Sequence, residues 1–247
     1  MKFYFDGCSF SYGGGLSQNG YDPHKVRWTK LVSDYFGAEE FNFSTGGASN
    51  DTILRHFFTQ QVFQEPRSYR DDIRFDLKDF DVFFIQSSSP RRGEYWNRCK
   101  TKWERYKPRP ILADPVVLVN TIVEGETISL VDSRKENPNL RNWIQYWLSD
   151  IYHPKLGAVR EMVMMKSILS HLKLLGKPYF TSTIMGEKES AMDYDLYFNA
   201  VKKDYFSNQT SMNYDRLPCG HPSPDGHRQI ADDVIKKLMS RKDYFGL

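Results

Sequence analysis

Cysteine is scarce in this chain: Cys8, Cys99 and Cys219 are the three in 247 residues. The odd count and the lack of any Cys-x-x-Cys spacing exclude a disulfide framework and a zinc knuckle, and they fit a reducing compartment. Charge of one sign is scarce as well, since 34 Lys+Arg against 31 Asp+Glu leave a net +3. The basic residues are scattered among acids, so electrostatics make no case for nucleic acid as a partner. No stretch approaches the roughly 18 consecutive apolar residues of a membrane span. The N-terminal "MKFYFDGC" has no apolar core of signal-peptide length. These absences lead to the expectation of a cytoplasmic protein that engages neither membrane nor nucleic acid. His24, His56, His153 and His171 lack ligand spacing and read as surface or packing residues; no metal and no cofactor is expected.

What is present is an ordinary globular composition, 40% hydrophobic and 26% charged, with an aromatic content of 15% that is high enough to line grooves as well as a core. The length suits one domain. "KFYF" (2–5) is a short apolar run of strand-forming residues that meets a glycine turn. Residues 28–37 carry Trp28, Leu31, Val32, Tyr35 and Phe36 at helical intervals and stop at Gly37. Residues 39–44 read as a second strand, followed by "TGGASND", where Ser49 or Asn50 caps a helix over 51–63. Residues 81–89 read as a third strand ending in hydroxyls, and 177–185 as a fourth after a helix over 158–176. In that helix Val159, Met162, Met165, Leu169 and Leu172 share one face. Ser223 caps a last helix with Pro224 at its first position. Alternating strands and helices imply right-handed crossovers. The expected fold is α/β: a three-layer α/β/α sandwich on a mostly parallel, flavodoxin-like sheet. It is interrupted by an aromatic, basic segment at 91–154, read as an insertion that covers or extends the site, with a hairpin around Glu124-Gly125.

In such a sheet the loops after the carboxyl ends of the strands converge on one crevice. "FDGCSFSYGGGL" (5–16) puts a serine in the first of these loops, "TGGASN" (45–50) fills the second, and Ser87, Ser88, Ser89 and Pro90 close the third. "GHPSPDGH" (220–227) precedes the last helix. Taken singly, Ser9 is also a helix cap, Gly47 a tight turn, and His221 competes with His227.

Taken together and in this order, "GCS" (7–9), "NFSTGGAS" (42–49) and "GHPSPDGH" resemble the SGNH (GDSL-like) hydrolase family from end to end of the chain. The resemblance implies Ser9 as nucleophile, His221 as general base, and the main-chain N–H groups of Ser9 and Gly47 as oxyanion donors. A serine hydroxyl is a weak nucleophile at neutral pH and needs an imidazole to take its proton. Two family residues are replaced. Pro218 stands where the triad aspartate is usual, which leaves Asp215 or a main-chain carbonyl to orient the histidine. The asparagine after the third strand is missing, with Ser89, Asn50 or Arg91 as substitutes.

Arg91 and Arg92, beside aromatics, are the candidate substrate-binding residues. Cys8 and Cys219 flank the proposed site and read as two small buried thiols, with a redox pair as the alternative. The function implied is a serine esterase or deacylase acting on a small-molecule or carbohydrate ester, O-acetyl groups included. The rival is an SGNH-like carbohydrate-binding module without efficient catalysis.

Overall fold

Phe3, Tyr4 and Phe5 are at most 1% exposed, so the first strand is buried on both faces and belongs in the middle of a parallel sheet. The computed structural model describes residues 1–62, 73–88, 154–183 and 214–247, with strand segments 93–97, 102–108, 117–123, 126–128 and 205–207. In chain order the elements of the first half are β1 (Lys2–Asp6), α1 (Ser9–Tyr12), α2 (Pro23–Val26), α3 (Trp28–Tyr35), β2 (Glu39–Asn42), α4 (Asn50–Thr59), β3 (Gln61–Val62), β4 (Ile73–Arg74) and β5 (Val82–Ser87). There follow β6 (Gly93–Asn97), β7 (Lys102–Pro108), β8 (Val117–Val123), β9 (Glu126–Ile128), α5 (Pro154–Leu174), β10 (Tyr179–Thr183), β11 (Tyr205–Ser207), α6 (Pro224–Met239) and α7 (Lys242–Phe245).

The central sheet has five strands in the order β11-β10-β5-β1-β2, every pairing parallel. Renumbered within the sheet this is 2-1-3-4-5, the flavodoxin-like order, whose direction of winding reverses between β1 and β5. Ligand sites of such sheets lie at that reversal, beyond the carboxyl ends of the strands.

Side chains alternate across the sheet and define two cores. Tyr4, Phe83 and Ile85 face α4 and α5, packing with Ile53, Phe57, Met165 and Ile168. Phe3, Phe5, Val82 and Phe84 face α3 and α6, packing with Trp28, Val32, Ile230 and Val234. The result is three layers, held by aromatic contacts such as the stacked Phe5–Phe84 pair at 4.4 Å.

The middle block holds a four-stranded antiparallel sheet, β6-β7-β8-β9. Its Val123↔Glu126 pairing fits the hairpin expected around Glu124-Gly125. Several expected boundaries move. α4 stops at Thr59, short of 63, because Gln60 turns to φ 52° and its carbonyl and side chain accept from the Phe75 and Leu77 N–H groups; the chain then pairs β3 with β4. α5 starts earlier than expected, at Pro154, a residue suited to the first helical position. Val159 is 48% exposed and lies off the buried seam, which runs through Met164, Met165, Ile168, Leu169 and Leu172. β11, only Tyr205–Ser207, was not expected from the sequence.

His227, in the first turn of α6, is fully buried, and its Nδ1 accepts from the Trp28 N–H at 3.3 Å, locking α6 to α3. Desolvation, followed by the positive neighbours His221 and Arg27, lowers its pKa from 6.5 to about 3. Between those values the unfolded chain binds a proton that the folded chain refuses, so stability is full above about pH 6.5 and is lost as pH falls toward 3. Urea unfolding at pH 7 and pH 5 is expected to show that His227→Gln removes about 2 kcal/mol of the wild type's acid-side loss. An unchanged loss contradicts the assignment. Phe83→Ala, in the centre of the first core, is expected to cost about 3–5 kcal/mol in the same assay at pH 7.

Candidate active site

Ser9 opens α1 directly after β1 and is 7% exposed. The helix is only four residues long: Cys8 precedes it in extended backbone without a side-chain cap, and Gly13 closes it at φ 90°. The chain then doubles back, with the Gly14 N–H donating to the Ser9 carbonyl at 2.6 Å.

Gly14 reveals the central juxtaposition. A Cβ on Gly14 would stand 2.9 Å from Ser9 Cβ and 3.1 Å from both Cδ2 and Nε2 of His221. The serine and the outer edge of the imidazole therefore border one point, and only glycine leaves that point open. The loop ahead of α6 thus returns to the first turn of the chain, 212 residues upstream.

That loop is tightly tied. Leu217 N–H donates to the His221 carbonyl at 2.9 Å, Gly220 N–H to the Leu217 carbonyl at 2.8 Å, and Ser223 N–H to the Asp215 carbonyl at 2.9 Å. The His221 ring lies against Phe10, centroids 5.5 Å apart and tilted 49°. Its Nδ1 faces Cys219 Sγ at 3.5 Å. The Asp215 carboxylate accepts from the Ser223 hydroxyl that caps α6, and the Asp215 N–H donates to Gln229. Both contacts bind Asp215 to the helix terminus.

Gly47 has φ 72°, a conformation that favours glycine, and among the described residues, its two chain neighbours aside, no atom lies within 4 Å of where its Cβ would be. The Thr45 N–H reaches the Gly7 carbonyl at 3.4 Å, which holds this loop beside the serine turn. Among the described residues neither the Ser9 nor the Gly47 main-chain N–H has a hydrogen-bond partner.

Asn50 sits at the start of α4, which Ser49 caps through a reciprocal capping box with Thr52. Its amide grips the main chain of Ser88, donating to the carbonyl at 3.0 Å and accepting from the N–H at 2.7 Å. It is thus a strut between α4 and the end of β5. The Ser88 hydroxyl extends the strut to the Ala48 carbonyl at 2.6 Å. Ser89, Arg91 and Arg92 lie outside the described residues.

Three supports were not anticipated from sequence. Gln86 on β5 accepts from the Ser11 hydroxyl at 2.8 Å and from the Cys8 thiol at 3.8 Å, fastening the serine turn to the sheet. Asp6 is fully buried and accepts from the Tyr4 hydroxyl at 3.1 Å and the Gly7 N–H at 2.8 Å, and it meets His56 Nδ1 at 3.2 Å. Burial pushes the Asp6 carboxyl up, with His56 opposing. His56 is therefore a polar partner of Asp6 rather than mere packing, whereas His171 does pack, edge-on to Phe57 at 5.8 Å. Cys8 is buried as expected, but Cys219 is exposed, contrary to expectation. The polar alternation of β1 and β5 near their ends was the only available signal, and it named no pairing.

Beside α1 opens a cavity of about 500 Å³ bordered by Tyr12, Ser17, Tyr21, Asp22, His24 and Arg27. Among the described residues no group of three or more His, Cys, Asp or Glu is placed to hold a metal, and no helix is long and apolar enough to cross a membrane.

No protein-family model and no curated protein matches the sequence. Solved structures do match in shape. An acetyl xylan esterase from the rumen bacterium Butyrivibrio proteoclasticus covers 98% of this chain with 64% of its own, at TM-score 0.54 and 14% identity. A family two carbohydrate esterase from Clostridium thermocellum, in complex with cellohexaose, covers 98% with 65% of its own, at TM-score 0.52 and 10% identity. One from Cellvibrio japonicus covers 98% with 62%, at TM-score 0.51 and 10% identity. The chain spans less than two thirds of each neighbour's length. The likeness is therefore one of architecture: this chain carries the α/β fold found in these carbohydrate esterases.

Proposed function

We propose that the protein is a serine esterase of SGNH type that removes acyl groups, acetyl foremost, from carbohydrate. The observation that carries this reading is the meeting of Ser9 Cβ and His221 Nε2 around the open point at Gly14. The fold shared with an acetyl xylan esterase and with a carbohydrate esterase in complex with cellohexaose supports the substrate class. The exposed Tyr12 and Tyr21 rings beside α1 offer apolar faces for a sugar.

In this mechanism His221 Nε2 takes the Ser9 hydroxyl proton as Oγ bonds to the ester carbonyl carbon. The oxyanion that forms receives hydrogen bonds from the Ser9 and Gly47 N–H groups, which have no partner to give up among the described residues. Imidazolium then protonates the departing sugar oxygen as its bond to the acyl carbon breaks. Water attacks the acyl-serine with His221 again as base, releasing the carboxylic acid and restoring Ser9. We read the antiparallel sheet of the middle block as an insertion within one domain, at the edge of this site.

A serine-directed fluorophosphonate probe is expected to label wild type and not Ser9→Ala. Acetate release from acetylated xylo-oligosaccharides is expected to fall by about a thousandfold or more in Ser9→Ala and His221→Ala. Gly47→Ala, which forces a side chain into positive φ, is expected to lose roughly ten- to a hundredfold in kcat. A folded wild type that takes no label but binds xylo-oligosaccharides points to the binding module instead, and acetyl transfer to an added sugar points to a transferase using the same residues.

A further inference from the structure

The far nitrogen of the proposed base has a partner that the sequence pattern does not supply. Pro218 occupies the position three residues before His221, and Asp215 is committed to the α6 cap. The group that faces His221 Nδ1 is the thiol of Cys219, at 3.5 Å, a separation suited to a hydrogen bond involving sulfur. From this geometry we infer that Cys219 is a positioning residue for catalysis: its sulfur accepts the Nδ1–H and thereby holds the Nε2 lone pair toward Ser9. The inference rests on the esterase reading above.

The surroundings are built for this contact. Gly220 at φ 81° and the bonds from Leu217 to His221 close a tight turn that places Cys219 and His221 on the same side. Gly15, at φ 82°, faces the sulfur, and a Cβ there would stand 2.7 Å from Sγ and 3.5 Å from His221 Cβ. The three consecutive glycines after the serine helix thus serve two contacts: Gly14 opens the Ser9–His221 approach, and Gly15 makes room for the thiol behind the imidazole.

The chemistry is a choice of tautomer. A neutral imidazole has one donor and one acceptor nitrogen, and a bond donated from Nδ1 fixes Nε2 as the acceptor. The same sulfur keeps the Nδ1–H when Nε2 takes the serine proton, so the ring need not turn during the reaction. A thiol is a weaker acceptor than a carboxylate, so the contact chiefly orients the ring and adds little charge stabilisation.

The test uses the full chain with Cys219→Ala, Cys219→Ser and Cys219→Asp. Hydrolysis of an acetylated xylo-oligosaccharide is expected to lose about tenfold in kcat in Cys219→Ala, near the worth of one hydrogen bond, with KM changed less than twofold. Cys219→Asp is expected to restore kcat to wild type or above. The ¹⁵N spectrum of His221 is expected to show protonated Nδ1 in wild type and Cys219→Asp, and a mixture of tautomers in Cys219→Ala. Unchanged kcat and unchanged nitrogen shifts in Cys219→Ala overturn the inference. If the wild type neither hydrolyses the ester nor takes the fluorophosphonate label, the esterase reading fails by itself, and the nitrogen shifts alone then decide the Cys219–His221 contact.

Discussion

β1 is paired on both edges and covered on both faces, and this double enclosure fixes the position of everything that follows it. Phe3 and Phe5 enter one core and Tyr4 the other, so the strand can neither slide nor rotate without exposing aromatic surface. A slip by one residue would exchange its two faces. The carboxyl end of β1 is therefore delivered to one place, at the reversal of strand order beside β5. Ser9 stands there because it lies three residues past the end of that strand, in the first turn that solvent can reach.

The polar groups beneath the turn are paired instead of exposed. Asp6 gathers Tyr4, Gly7 and His56, Gln86 holds Ser11 and Cys8, and Asn50 holds Ser88. Arg27 and Glu40 form a further enclosed ion pair at 2.8 Å between α3's start and β2. Burying such groups is costly, and breaking one partner leaves the other stranded, so these contacts stabilise a single arrangement of the loops more than they add to overall stability. The Gln86 and Asn50 contacts join the segment after one strand to the end of its neighbour. The serine turn, the Gly47 turn and the end of β5 are consequently tied together, and the Ser9 and Gly47 N–H groups have no hydrogen-bond partner among the described residues.

The return loop ahead of α6 answers the same demand by different means. It has no aromatic strand to anchor it, and relies on a cap at Ser223, a chain reversal at Gly220 and contact of the imidazole with Phe10. Gly226 shows how close the fit is, since a Cβ there would stand 2.1 Å from the Asp215 carbonyl oxygen. The loop is held by α6 and by its own hydrogen bonds, and it turns the side chains of Leu217, Cys219 and His221 toward the glycine run.

The four principal strands β1, β2, β5 and β10 with the helices between them, the glycine turn after β1, the cap at Ser223 and the turn at Gly47 were legible in the sequence, because apolar periodicity and local backbone preferences are written in neighbouring residues. Ser9 and His221 were legible as candidates only because their motifs, in order along the chain, resemble those of the SGNH family; taken singly, neither residue named its role. Only the tertiary structure decided what the polar side chains do. Asp215 turned to the helix cap, Asn50 became a strut, and Cys219 came to face the imidazole, since those partnerships depend on side-chain reach between segments far apart in the chain. The left-handed turn at Gln60 and the three-residue β11 were equally hidden: a short strand exists only where an existing edge offers it a ladder, and a glutamine accepts a positive φ only where contacts from elsewhere hold it there.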